Sequence, residues 1–238
     1  MPKKLPKEPK ILLLAGRGSL GKSSTGNSIV GKPVFKVDAG LDQTSYEILA
    51  HQTDDMIVID GSGIGEIIDD LKISRESLVE NIESYFSEYN VWFTALILVY
   101  KYGTRYTAQE QKAVEMLKSL FGQDVLKKWG VVLFTNGDQF EEPSTFHEWC
   151  GQQEGRIVDL MNECGHRFVL FDNKTQEADL KKEQLDKLME EVGKISSPGY
   201  TMKNYKKKTT SCRRICIYSV VAVCLIVFIV VVVLVIWL

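Results

Sequence analysis

The run Ile11-Leu-Leu-Leu-Ala-Gly-Arg-Gly-Ser-Leu-Gly-Lys-Ser23 says more about this chain than any other segment of its 238 residues. Ile11 to Ala15 are apolar without interruption, the pattern of a strand buried on both faces. A glycine-rich turn follows at once, and Lys22–Val30 reads as a helix. Gly16 to Ser23 fits G-x-x-x-x-G-K-[ST] without a mismatch. Each part of that pattern has a physical task. The amides of Gly16, Arg17, Gly18, Ser19, Leu20 and Gly21 are expected to form a nest for phosphate oxygens. The helix start at Lys22, Ser23 and Ser24 adds partial positive charge. Glycine at 16 and 21 lets the chain turn sharply and approach a phosphate with no Cβ in the way. Lys22 supplies a point charge to the β- and γ-phosphates, and the Ser23 hydroxyl is a hard ligand suited to Mg²⁺. The pattern predicts a polyphosphate site. Alone, it leaves ATP and GTP open, and equally a kinase and a switch.

Outward from this run, apolar strands alternate with helical segments, the pattern of a three-layer α/β fold. Further strands are expected over 46–51, 55–59, 94–100, 131–134 and 167–171. Helices are expected over 71–89, 107–122, 144–164 and 176–194. Thr107 and Glu110 have the spacing of a capping box, and Gly122 fits a helix end. The short polar link after residue 51 implies a hairpin. The sheet is therefore expected to be mixed, mostly parallel and six-stranded. Four regions follow: a flexible arm at 1–10, a domain over 11–195, a basic linker at 196–214 and a hydrophobic segment at 215–238.

Hydrophobic residues make up 45% and charged residues 25%, which is enough for a packed core. The formal net charge of -2 hides an asymmetry. Six of the 29 Lys and Arg lie from Lys203 onward, where there is no Asp or Glu, so the preceding part carries 23 basic against 31 acidic side chains. A globular part this acidic argues against a nucleic-acid-binding surface. Cys150, Cys164, Cys212, Cys216 and Cys224 show no metal-ligand spacing and read as reduced thiols. His51, His147 and His166 form no metal or triad pattern. The start of the chain has no apolar run long enough for a signal peptide.

Three later segments bear on the base. Asp60-Gly-Ser-Gly63 follows a strand and fits D-x-x-G, in which the carboxylate holds Mg²⁺ through water and the Gly63 amide meets the γ-phosphate. Thr135-Asn-Gly-Asp138 follows another strand. Asp138 could accept both N1–H and N2–H₂ of guanine, a pairing that adenine cannot make. Asp172-Asn-Lys174 could line the base from the other side.

With these segments in view, residues 10–194 resemble the immunity-associated nucleotide-binding proteins, the GIMAP or IAN GTPases of the AIG type. The first helix carries Gly21-Lys-Ser-Ser-Thr-Gly-Asn-Ser-Ile-Val-Gly31, very similar to that family's GKSATGNSILG. The stretch from Ala95 to Glu110 resembles its conserved box, and Phe171-Asp-Asn173 resembles its FNN segment. The resemblance implies a Ras-like G domain that binds GTP or GDP with Mg²⁺. It implies Thr135, Asp138 and Asn173 as guanine-site residues, and Thr44 as the switch threonine that ligates Mg²⁺ beside Ser23 and Asp60. Two departures stand out. Asp60-Gly61-Ser62-Gly63 replaces the family's D-T-P-G, so this switch is expected to be more flexible. Asn136 and Gly137 stand where the family tends to have basic residues, so weaker nucleotide binding is expected.

Ile64 stands where a Ras-like enzyme has the glutamine that orients water, so hydrolysis is expected to be slow. Arg105 and Arg17 are the candidate arginine fingers, Arg105 being offered in trans across a dimer. The expected function is a nucleotide-dependent assembly switch, with self-association through the nucleotide face. The alternative is a GTP-binding scaffold with negligible hydrolysis that oligomerises on membranes. A kinase or ATPase is a third reading, against which Asp138 argues.

Residues 215–238 contain no charge, Pro or Gly. At about 1.5 Å per residue, a helix of this length spans a bilayer core of about 30 Å. The basic cluster lies on its N-terminal side, which places the domain in the cytosol. The expectation is a single-pass tail anchor. Lys206, Lys207 and Lys208 would attract anionic membrane lipid, and Cys212 and Cys216 are at acylation depth. Endoplasmic reticulum, Golgi, mitochondrial outer membrane and lysosome all remain open.

Overall fold

The computed structural model describes residues 9–37, 48–61, 92–141 and 144–205, with single positions at 64, 80, 84 and 86. Strand β1 (Lys10–Ala15) leads into helix α1 (Lys22–Val30). The hairpin of β2 (Ile48–Gln52) and β3 (Met56–Gly61) follows, then β4 (Ala95–Lys101). Helices α2 (Ala108–Phe121) and α3 (Val125–Trp129) precede β5 (Gly130–Thr135) and a 3₁₀ turn at Gly137–Gln139. The order ends with α4 (Phe146–Gly151), α5 (Arg156–Glu163), β6 (Phe168–Leu170) and α6 (Ala178–Gly193).

The strands form one six-stranded sheet in the order β2-β3-β1-β4-β5-β6. Only β2 runs antiparallel, paired with β3 from Ile48 opposite Gly61 to Gln52 opposite Ile57. The mixed, mostly parallel sheet read from the sequence is thus the one observed. In β1, β4 and β5 every residue except Lys10 and Lys101 is buried. Helices cover both faces of a parallel sheet, so its central strands need no polar side. One face packs Leu12, Leu14, Ile97, Val99 and Leu133 against Ile29 of α1 and Leu188 and Val192 of α6. On the other, Phe146 of α4 meets Phe134 of β5 and Phe168 of β6 edge-on, at ring centroid distances of 5.5 and 6.1 Å.

Two helical expectations need correction. The helix expected over 144–164 is two helices. Thr145 and Glu148 cap α4 with a capping box. The next helix starts after Gly155, whose φ of 79° and ψ of -160° are closed to L side chains. Apolar spacing ran through the break because Cys150, Leu160 and Met161 are all drawn into the core. Helix α3 was not anticipated. Its five residues are too few to show a period, yet Val125, Leu126 and Trp129 are buried.

The domain also extends past residue 195. Tyr200 N–H donates to the Phe93 carbonyl (2.7 Å), and Trp92 N–H donates to the Tyr200 carbonyl (2.7 Å). The Tyr200 hydroxyl donates to the Phe121 carbonyl (2.9 Å), and its ring stacks on Phe93 with centroids 4.7 Å apart. Residues 196–201, expected as linker, therefore belong to the domain. Contacts divide the chain into Met1–Thr201 and Met202–Leu238. Of the second unit, only 202–205 are described, and 202–205 are helical. Among the described residues no helix is long and apolar enough to cross a membrane. The segment 215–238 lies outside them, as do Thr44, Gly63, the lysines at 206–208 and most of the helix expected over 71–89.

Arg167 closes one end of the sheet. Its Nε donates to the Gly130 carbonyl (2.8 Å), and its Nη2 donates to the carbonyls of Leu126 (3.1 Å) and Lys127 (2.9 Å). A helix end leaves carbonyls without helical partners, and a buried fork of charged donors satisfies them here. Arg167→Ala should cost about 2–4 kcal/mol of stability. The measurement is urea unfolding, with a lower midpoint at an unchanged slope.

Candidate functional site

The carboxyl ends of five parallel strands meet on one edge of the sheet, where ligands bind in open α/β folds. The phosphate loop leaves β1 there. Gly16 has φ 138°, Ser19 φ 61° and Gly21 φ 94°, so amides turn inward along the loop. Gly16 is required by a neighbour more than by a ligand: a Cβ on it would stand 2.7 Å from the Val99 carbonyl of β4. Lys22 is buried, and its ammonium donates to the carbonyls of Gly16 (2.7 Å) and Arg17 (2.9 Å). These bonds hold the cation at the loop it is to serve.

Ser23 Oγ donates to Asp60 Oδ2 at 2.6 Å, and Asp60 is 2% exposed. The pair brings a hydroxyl and a carboxylate, both hard oxygen donors, to the loop where phosphates would lie. That donor set fits Mg²⁺, which commonly takes one or two protein oxygens, phosphate oxygens and water. No cluster of three His, Cys, Asp or Glu with metal-binding placement occurs among the described residues. A site shared with phosphates does not need one.

Thr135 and Asn173, expected at the base, are engaged as braces. The Thr135 hydroxyl lies 3.0 Å from the Leu20 carbonyl and 3.2 Å from that of Tyr100. Its single proton serves one of them at a time, and donation to Leu20 ties the phosphate loop to β5, the strand that carries Thr135. Asn173 donates through Nδ2 to Thr25 Oγ1 (3.0 Å) and accepts through Oδ1 from Ser28 Oγ (2.8 Å). Both ends of its amide are anchored on α1. Asp138 has a different kind of partner. It sits in the 3₁₀ turn with its side chain 28% exposed, paired with Lys174 Nζ at 2.6 Å. The Asp138 carboxylate holds the Lys174 ammonium above its ordinary pKa, first by this hydrogen bond and then by charge. Gly137 has a steric reason: a Cβ would meet the Asp172 nitrogen at 2.9 Å, and its N–H donates to Phe171 at 2.9 Å. The cation beside Asp138 is Lys174, from the segment after β6.

Of the D-x-x-G segment, Asp60 and Gly61 are described. Gly61 is the last residue of β3, paired with Ile48, and a Cβ there would stand 2.7 Å from the Leu14 carbonyl. Its conformational freedom is already consumed by the strand. Ile64 is fully buried; its N–H donates to Gly61 (2.8 Å) and its carbonyl accepts from Gly16 N–H (3.3 Å). Its side chain is a core anchor.

Asn27 is a site residue that sequence reasoning passed over. Its Oδ1 accepts from the N–H groups of Val34 (2.8 Å) and Phe35 (2.7 Å), and its Nδ2 donates to the Phe35 carbonyl (2.8 Å). Gly26 makes room beside it, since a Cβ would meet the Phe35 ring at 2.7 Å. The run Thr-Gly-Asn-Ser thus docks the segment leaving α1. Its resemblance to a family sequence was the available signal. Arg105 is exposed on the loop after β4. Arg17 is paired through Nη1 with Glu110 Oε1 at 3.1 Å.

An amide nest opening a parallel α/β sheet, with a lysine held at its carbonyls, defines a P-loop nucleotide-binding domain. Residues 10–215 match the AIG1 family, and the chain belongs to that family. It is 33% identical over 195 residues to immune-associated nucleotide-binding protein 7 of Arabidopsis thaliana, covering 79% of this chain and 61% of that protein. It is 31% identical over 194 residues to protein 1 of the same series, covering 77% and 83%. The chain spans 57% of protein 3 and 58% of protein 4, less than two thirds of several relatives. The fold is that of a P-loop GTPase G domain. A dimerization-deficient mutant of Toc33 from Arabidopsis thaliana superposes with a TM-score of 0.58 at 16% identity, covering 82% of this chain and 88% of that one. Toc33 in complex with GDP and Mg²⁺ superposes with a TM-score of 0.52 at 17% identity, covering 79% and 86%.

Thr135→Val keeps the shape and deletes the brace. It should cost about 1–2 kcal/mol, since one carbonyl of this pair loses its donor. The thermal midpoint should fall by several degrees, and addition of saturating nucleotide should recover part of the loss. Gly61→Ala should also lower the midpoint, by overpacking worth about 1–3 kcal/mol. A switch glycine valued for mobility would instead gain stability on that change.

Proposed function

We propose that this chain binds GTP and GDP with Mg²⁺ and acts as a membrane-held, nucleotide-dependent assembly switch with slow hydrolysis. The observation that carries the reading is the placement of Lys22, the Ser23–Asp60 pair and Asp138 along one sheet edge. Phosphates would take the loop amides and Lys22. Ser23 and Asp60 would hold Mg²⁺, Asp60 through water, and the ion would neutralise charge between β- and γ-phosphates. Guanine would donate N1–H and N2–H₂ to Asp138, displacing the Lys174 ammonium and leaving its stem beside the ring. Thr44 and Gly63 are proposed to complete the γ-phosphate end.

Hydrolysis needs a group that orients water and a cation for the transition state. With Ile64 turned into the core, the first is not supplied at that position. The exposed Arg105 is suited to act as the second from another copy. One solved neighbour in fold, at 15% identity and TM-score 0.57, is described by the statement that dimerization is important for the GTPase activity of the chloroplast translocon components atToc33 and psToc159. The buried Ile64 equally favours the second reading, a GTP-binding scaffold with negligible turnover. The segment 215–238 would span the membrane, with Lys206–Lys208 against anionic headgroups and the domain on the cytosolic side.

Competition binding on the full chain in detergent checks the base. GDP should outcompete ADP by at least about 100-fold, and Asp138→Ala should remove most of that preference. Equal affinity for the two would overturn the assignment. Light scattering then checks assembly. A nonhydrolysable GTP analogue, and not GDP, should double the protein mass in the micelle. A nucleotide-independent mass would leave the scaffold reading in place of the switch.

A further inference from the structure

Arg17 and Glu110 are 93 positions apart, and the fold places them together because β1 and β4 are parallel neighbours with their carboxyl ends side by side. The pair is sheltered, with side-chain exposures of 31% for Arg17 and 9% for Glu110. Glu110 has a second attachment. Its Oε2 accepts from Thr107 N–H at 2.7 Å and from the Thr107 hydroxyl, closing the capping box of α2. Burial works against the Glu110 anion, but the Thr107 donors and the Arg17 guanidinium outweigh it and hold the carboxyl below its ordinary pKa. The nearby phenols do not compete for the guanidinium as anions. Burial pushes Tyr106 up to about 12 and Tyr100 well above its ordinary value.

Arg17 belongs to the phosphate loop itself, and its carbonyl already accepts from Lys22. A guanidinium on that loop meets two anions in turn, a carboxylate on α2 and a polyphosphate in the nest. Both offer bidentate acceptors of similar geometry. We propose that Glu110 is a positioning residue that stores Arg17 outside the phosphate cradle and yields it when a nucleoside polyphosphate enters. The exchange makes Glu110 the joint between the phosphate loop and the α2 start, next to the loop that bears Arg105. Thr107 keeps its hold on the carboxylate throughout, so the helix start survives the release. This inference rests on the nucleotide-binding reading above and adds a residue and a competition to it.

Glu110→Gln separates the two roles of this side chain. Glutamine still serves a capping box, but it cannot hold a guanidinium by charge. The test is a double-mutant cycle on the full chain: wild type, Glu110→Gln, Arg17→Gln and the pair. Binding of a fluorescent nonhydrolysable GTP analogue is read in each. Glu110→Gln should tighten binding by roughly 3- to 10-fold, the range of a partly screened ion pair. The gain should shrink as salt is raised. Arg17→Gln should weaken binding, and adding Glu110→Gln to it should change nothing beyond about twofold. Unchanged affinity in Glu110→Gln, or the same gain with and without Arg17, would overturn the storage role. Were Glu110→Gln to unfold, Glu110→Asp, which retains the charge and shortens the reach, replaces it with the same two outcomes. Failure of the wild type to bind any guanine nucleotide is a different result and removes the proposed function itself.

Discussion

The phosphate loop depends on being held from behind. Its shape is fixed because its carbonyls and glycines are held against strands and against Lys22. Gly16 lies against the Val99 carbonyl, Leu20 is tied to Thr135 of β5, and Lys22 clamps the Gly16 and Arg17 carbonyls. A loop of free amides would have to be ordered by its ligand at an entropic cost. Here the ordering is supplied by the sheet, so little of it remains for the ligand to drive.

The same economy governs the rest of the edge. Asn173 anchors its amide on Thr25 and Ser28, and Asn27 anchors its amide on the backbone of Val34 and Phe35. These polar residues hold segments in place, and Asp138 is the group we propose to meet a base. The distinction is one of partners. Asn173 and Asn27 each use a donor and an acceptor on neighbouring protein groups, which fixes the orientation of the amide. Asp138 and Arg17 differ, because each is held by a single oppositely charged side chain, Lys174 in one case and Glu110 in the other.

Much of the fold was legible in the chain. The apolar run at Ile11–Ala15, the glycines beside it and the alternation of strands with helices were enough for a mixed, mostly parallel six-stranded sheet. Boundaries moved by a residue or two at most strands. Two helices were misread for identifiable reasons. Gly155 breaks a period that the core continues to demand on both sides of it, and α3 is too short to have a period. The reach of the domain to Tyr200 was invisible because an isolated aromatic in a Ser/Pro/Gly stretch carries no pattern; its stacking on Phe93 exists only in three dimensions.

Sequence alone determined the phosphate loop, because its function resides in backbone geometry that glycines and one lysine impose locally. It also determined the hydrophobicity of residues 215–238, which follows from composition. Tertiary structure alone decided which polar residues are available. Whether Thr135 and Asn173 read a base or brace a loop, and whether Gly61 is loose or wedged, depends on atoms contributed by strands and helices far away in the chain. A pairing such as Arg17 with Glu110 leaves no local trace, since the sheet order that brings β1 beside β4 is a property of the whole fold.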